Sequence, residues 1–187
     1  MFSFLKKKKL STLPVSMRKG ESQDIEFVVD QMRLNFKEGH YGRGVSEKEF
    51  VAGQYVMLNA SIEGRAIQLA TETGLSNKHS SLLFILESPV EKHIGFAFVL
   101  CDIEAENIVS EIISAGIQPH MRNIGCGKIF MQMLTEDLIQ QTALKARCYK
   151  ESESMCKIFQ SLGFSTIKTT NSGTKHLYLE KLTSSSS

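Results

Sequence analysis

The sequence predicts an α/β fold of the α+β kind: a mixed, mostly antiparallel central sheet of about seven strands flanked by about four helices. Three observations predict it. Apolar residues recur at helical spacing in four stretches, separated by short apolar runs of strand length. Between residues 82 and 117 three such runs are divided only by turn-length segments, so they read as antiparallel neighbours. Beyond Pro119 the pattern switches to a helix, then to another strand, a short helix and a closing hairpin.

Leu13 to Arg18 reads as the first strand. In Asp24 to Phe36 the residues Ile25, Val28, Val29, Met32 and Phe36 share one side of a helix. Lys37 to Gly44 carries three glycines and is a loop. Ser46 and Glu49 form a capping box ahead of Phe50, so a second helix starts there and its pattern runs, kinked at Gly64, to about Glu72. Gly74 to Ser81 reads as a turn. Strands follow at Leu82 to Glu87, His93 to Cys101 and Ile108 to Ile117, with Ser88-Pro89 and Asp102 to Glu106 as the connections. Pro119 cannot donate to a ladder and ends the last of them. A helix then spans Gly125 to Thr142, a buried strand Ala143 to Tyr149, and a short helix Ser154 to Leu162, stopped by Gly163. Phe164 to Thr169 and Lys175 to Leu182 close the chain as a hairpin around Asn171 to Gly173.

The segment from Ile112 to Leu134 carries the chemistry. Between its strand and its helix stand Arg122, Asn123, Ile124, Gly125, Cys126 and Gly127. Glycines let a bound group approach the backbone, and the unpaired N–H groups of a helix start suit phosphate. A Walker A loop needs glycine at 122 and Ser or Thr at 129, where Arg122 and Ile129 stand. A dinucleotide fingerprint needs glycine at 130, where Phe130 stands. What remains resembles the Gcn5-related N-acetyltransferase (GNAT) family, whose signature Arg/Gln-x-x-Gly-x-Gly/Ala is met by Arg122, Gly125 and Gly127. Ile117 and Pro119 also match the family's strand end. The element order from residue 12 to 182 follows the same family, and Gly163-Phe164 matches the end of a second signature. Ser152, Met155, Phe159 and Ser161 depart from that second signature, which has Asn, Ala, Tyr and Lys there.

The resemblance implies acetyl-CoA as co-substrate and a primary amine, of a small molecule or a protein, as acceptor. Amides from Arg122 to Lys128 would hold the pyrophosphate, and Gly116, Ile117 and Gln118 would pair with the pantetheine arm. The Arg122 side chain in such proteins often packs locally while its backbone binds. An amine needs a base before it can attack. Glu111 interrupts an apolar strand six residues before Ile117, the offset of the family's general-base glutamate; a solvent-facing glutamate is the competing reading. His120, beside the turn, is a substitute base. The family's tyrosine, which protonates the departing thiolate, is replaced by Phe159, with Tyr149 and Tyr178 as stand-ins. His40 and Tyr41 lie in the loop that walls the acceptor site in this fold. Two alternatives stay open: a non-catalytic acyl-CoA-binding module, and an acyltransferase for longer acyl chains. Dimerisation is common in the family, so a homodimer is also open.

Composition sets the remaining bounds. The 187 residues suit one domain, spanning 12–182 between a basic segment, 1–11, and a serine tail, 183–187. Six of the 22 basic residues lie in the first twenty positions; the other 16 face 20 acidic ones, which argues against a broad nucleic-acid surface. Phe2 to Lys9 combines apolar and basic residues and reads either as a weak membrane-surface foot or as a solvated start. Cys101, Cys126, Cys148 and Cys156 form no metal-like spacing, and with no secretory signal a reducing cytoplasmic setting is expected. Cys126, at a helix start, reads as a reactive thiol or as a small filler between two glycines.

Overall fold

Hairpins and helical connections build a single sheet, described here from a computed structural model that covers residues 14–41, 46–70, 76–102 and 108–182. The strands are β1 (Ser16–Lys19), β2 (Ile67–Ala70), β3 (Ser76–Ser88), β4 (Glu91–Asp102), β5 (Val109–Ile117), β6 (Ala143–Cys148), β7 (Ser165–Thr169) and β8 (Lys175–Leu179). The helices are α1 (Ile25–Lys37), α2 (Glu47–Ile62), α3 (Cys126–Leu138) and α4 (Glu153–Ser161). The sheet runs β1-β3-β4-β5-β6-β8-β7, with β2 paired to β3 beside β1. Among the described residues only β5 and β6 pair in parallel, and α3 lies in the connection between them.

Two apolar layers cover the two faces. On one, α1 buries Val28, Val29 and Met32 with Leu58 of α2 against Ile85, Phe96 and Phe98. On the other, α3 and α4 bury Phe130, Leu134, Cys156 and Phe159 against Ile94, Val99 and Leu144. The helical spacing of these residues accounts for both arrangements. The expected capping box starts α2: the Glu49 N–H donates to Ser46 Oγ at 3.3 Å and the Ser46 N–H to Glu49 Oε2 at 2.9 Å.

Two expectations need correction. The second helix stops at Ile62, and Ile67–Ala70 pairs instead as β2 with Ser76–His79. The polar stretch expected to turn before Ser81 is the start of β3, with Ser80 opposite Cys101 and Ser81 opposite Leu100. Serines, Asn77, Lys78 and His79 mask a strand whose stability comes from ladder bonds on both edges rather than from its own apolar alternation. Among the described residues the sheet therefore has eight strands instead of seven. The basic segment and the serine tail lie outside the described residues, as does most of the Asp102 to Glu106 connection.

Asp24 anchors the first helix to the sheet. It is buried, receives Arg18 at 2.7 and 2.9 Å and the Glu21 N–H at 2.8 Å, and lies 2.8 Å from His93 Nε2. Burial alone would raise its carboxyl, but Arg18, the Glu21 N–H and His93 outweigh it and hold it at about 2. A carboxylate held below its unfolded value contributes stability that is full above that value and lost as pH falls through the folded one. Asp24→Asn is expected to cost roughly 3 kcal/mol at neutral pH. In acid titrations followed by circular dichroism, it should also remove part of the wild-type loss of stability between about pH 4 and pH 2.

Candidate functional site

The site begins where two parallel strands part. β5 pairs with β6 only from Val109 opposite Ala143 to Ile112 opposite Ala146. At that point β5 also slips against β4: Ile112 faces Val99 and Ser114 faces Phe98, leaving Ile113 as an extra residue. Such a bulge bends its strand and increases the local twist. The two strands diverge past it, and a cavity of about 670 Å³ opens between the end of β5, the start of α3 and the start of α4.

Its floor is the β5 run Ile112 to Ile117. Gly116 is packed closely from behind: a Cβ there would lie 2.8 Å from the Phe96 ring and 2.9 Å from Asn35 Nδ2. Asn35, buried at 5% exposure on α1, thus presses directly on the strand end. Beyond the strand, the turn into α3 places Asn123 at φ 61° and Gly125 at φ 100°. Gly125 is the N-cap of α3 and offers no side chain to its first N–H groups. The amides of Cys126, Gly127 and Lys128 therefore have no partner within the helix. A Cβ on Gly125 would meet nothing within 4 Å, so this backbone is open to a ligand. A helix start with free amides, opening on a cavity and flanked by Lys128, can take an anionic group.

The expected cofactor residues divide into three groups. Gly116, Ile117, Arg122, Asn123, Gly125, Gly127 and Lys128 line the cavity. Ile124 and Cys126 pack their side chains into the core beneath α3. Burial pushes the Cys126 thiol up, so this cysteine is a filler rather than a reactive thiol. Gln118 faces the other way, its N–H donating to Ile94 O at 2.9 Å and its amide to His93 O. Arg122 packs locally: Nε donates to Ile117 O at 2.9 Å, and Nη1 lies 3.0 Å from both oxygens of Glu38.

His40 and Tyr41 both line the cavity. The Tyr41 hydroxyl bonds Ser114 Oγ on the bulge, and its ring packs on Phe50 at 4.7 Å. Burial pushes the Tyr41 phenol up, offset in part by Ser114 and Asn35. His40 Nδ1 lies 2.9 Å from Ser152 Oγ.

Glu111 stands apart from these groups. It borders a second recess of about 460 Å³ on the α2 side, and the two cavities share Met57, Ile113 and Arg147. Its carboxylate accepts from Arg147 Nε at 2.6 Å. His120 is exposed, 3.5 Å from Glu91. Phe159 lines the large cavity and packs on Phe164 at 5.0 Å. Of the two tyrosine stand-ins, Tyr149 lines it and Tyr178 is not part of its wall. Sequence reasoning missed Asn35, Ser114 and Arg147 altogether. Asn35 alone left a signal, a polar residue between Met32 and Phe36 on an apolar helix face.

Several solved structures share this architecture. A spermidine N-acetyltransferase from Vibrio cholerae, in complex with CoA and spermine, superposes with a TM-score of 0.60 at 12% identity, covering 89% of this chain and 95% of that one. A Gcn5-related N-acetyltransferase from Kribbella flavida gives 0.61 at 14% identity, covering 90% and 98%. A dodecameric spermidine N-acetyltransferase structure from Vibrio cholerae gives 0.59 at 15% identity, covering 89% and 94%. The fold is that of the Gcn5-related N-acetyltransferases, and the resemblance seen in Arg122, Gly125 and Gly127 extends to the whole architecture. No protein-family model matches the sequence, and no curated protein does. Among the described residues no helix is long and apolar enough to cross a membrane, and no cluster of His, Cys, Asp and Glu could hold a metal ion.

Arg122→Ala removes a charge-assisted bond to Ile117 O and the contact with Glu38. Its expected cost is about 1–3 kcal/mol, read as a lower denaturant midpoint with an unchanged slope.

Proposed function

We propose that this chain is an N-acetyltransferase that moves an acetyl group from acetyl-CoA to a primary amine by direct attack. The observation that carries the reading is the junction of the β5–β6 gap with the open amide cradle at Gly125. One site thus offers an apolar slot for an extended arm and free N–H groups for its phosphates. Amides of residues 123–128 bind the pyrophosphate, with Lys128 adding a cation. Gly116 and Ile117 hold the arm beside β5, and the Ile117 region polarises the thioester carbonyl. That one neighbouring fold is crystallised with CoA and spermine supports both the donor and an amine acceptor.

An ammonium acceptor must lose a proton before it attacks. Glu111 is the base in this proposal. It receives the amine through the border formed by Met57, Ile113 and Arg147, and releases the proton to solvent from its partly exposed position. His40 and Tyr41 close the acceptor side. Phe159 favours the rival reading of a module that binds acyl-CoA without turnover, because it has no proton to give the thiolate.

The test is calorimetric titration with acetyl-CoA, CoA and a long-chain acyl-CoA, followed by thiol release with spermine, a lysine-bearing peptide and a small alkylamine. Micromolar binding of acetyl-CoA, abolished in a folded Gly125→Asp/Gly127→Asp variant, with amine-dependent thiol release, is the expected result. Binding without release from any amine favours the module, and no binding of any acyl-CoA rejects the proposal. Glu111→Gln should lower kcat by about 100-fold while leaving acetyl-CoA affinity unchanged.

A further inference from the structure

The residues that follow α1 touch three walls of the cavity in turn. Glu38 binds Arg122 ahead of α3, His40 meets Ser152 ahead of α4, and Tyr41 meets Ser114 on the β5 bulge. The middle contact is chemically different from the others. Ser152 is the N-cap of α4, where a serine hydroxyl ordinarily accepts from the first N–H groups of its helix. It makes no such bond, and its Oγ lies 2.9 Å from His40 Nδ1 instead. Across the imidazole, Nε2 lies 3.3 Å from Glu38 Oε2, and Arg122 holds that carboxylate in place. One tautomer fits this arrangement, with Ser152 donating to Nδ1 and the Nε2 side of the ring left facing the Glu38 carboxylate. A hydroxyl hydrogen-bonded to an imidazole that has a carboxylate on its far side is an arrangement that can move a proton. Ser152 and His40 both border the cavity.

We infer that Ser152 and His40 carry a proton from the attacking nitrogen to the departing thiolate, an assignment that rests on the acetyl-transfer reading above. To become an amide, a primary ammonium loses two protons, while the thiolate gains one. The first proton leaves to the base before attack. Once the N–C bond has formed, the nitrogen is cationic and gives its second proton to Ser152 Oγ as that hydroxyl passes its own to His40 Nδ1. Glu38 stabilises the imidazolium. As the C–S bond breaks, the proton returns through Ser152 to sulfur. One thioester and one ammonium thus yield one amide, one thiol and one proton released to solvent. Phe159, on the same cavity, has no proton to offer. In this assignment Ser152 touches the reacting atoms, and His40 and Glu38 are positioning residues acting through it.

The experiment compares two donors, acetyl-CoA and acetyl-seleno-CoA, whose selenolate is a weaker base and departs without needing a proton. The acceptor is whichever amine of the panel above is acetylated fastest. With acetyl-CoA, Ser152→Ala and His40→Ala should each lower kcat by about 100-fold, Ser152→Thr should keep most of the rate, and added imidazole should restore part of the His40→Ala loss. With the selenoester both defects should shrink below about tenfold, since the step they serve is no longer limiting. Melting curves and acetyl-CoA affinity of each variant control for folding and binding. Equal losses with both donors and no rescue would overturn the relay and leave a structural contact. An acetyl ester on Ser152, seen by mass spectrometry during turnover, would overturn it in favour of a covalent route. A wild-type chain that binds no acetyl-CoA would overturn the acetyl-transfer reading and the relay with it, whereas normal wild-type turnover with insensitive variants overturns the relay alone.

Discussion

Everything in the candidate site depends on the parting of β5 from β6 after Ile112 and Ala146. Backbone groups in a sheet interior must find partners, so a gap between two strands persists only where something holds it open. Here the bulge at Ile113 bends one strand, and Asn35 backs Gly116 so closely that no side chain would fit between them. Arg122 then ties the Ile117 carbonyl and Glu38 together, fixing the turn relative to α1. The same few contacts shape the slot and orient the open helix start at its end.

The segment after α1 gives this arrangement its closure. Glu38, His40 and Tyr41 reach α3, α4 and the β5 bulge within four residues of chain. Each contact is polar, and each partner is set by a different element of the fold. The wall formed by His40 and Tyr41 is thus registered against both the start of α3 and the slot. Partly buried polar networks of this kind favour one arrangement because a half-made network leaves polar groups without partners. Asp24 does the same at the far end of α1, where it links β1 and β4 to the helix start.

Much of this was legible in the sequence, and for identifiable reasons. The core faces of α1 and α3 follow from residue spacing, and Ser46 with Glu49 announces α2 locally. Arg122, Gly125 and Gly127 mark the cradle because its chemistry is confined to one short turn. β2 and the start of β3 were hidden, since polar strands draw their stability from neighbours far along the chain. Ser152 was visible only as a departure from a motif, because its partner His40 lies 112 positions away. The Glu38 contact with Arg122 spans 84 positions, and no local pattern reports it. Glu111 was singled out by its offset from Ile117, but its pairing with Arg147 depends on the register of β5 against β6.

The central claim is that the β5–β6 gap and the α3 start together form one acyl-CoA site. Amide hydrogen exchange with and without saturating acetyl-CoA tests it most directly. Protection concentrated at residues 116–118 and 123–128, spreading to the contacts made by residues 38–41, is the result this account predicts. Protection confined to other surfaces, with those two segments unchanged, would contradict it.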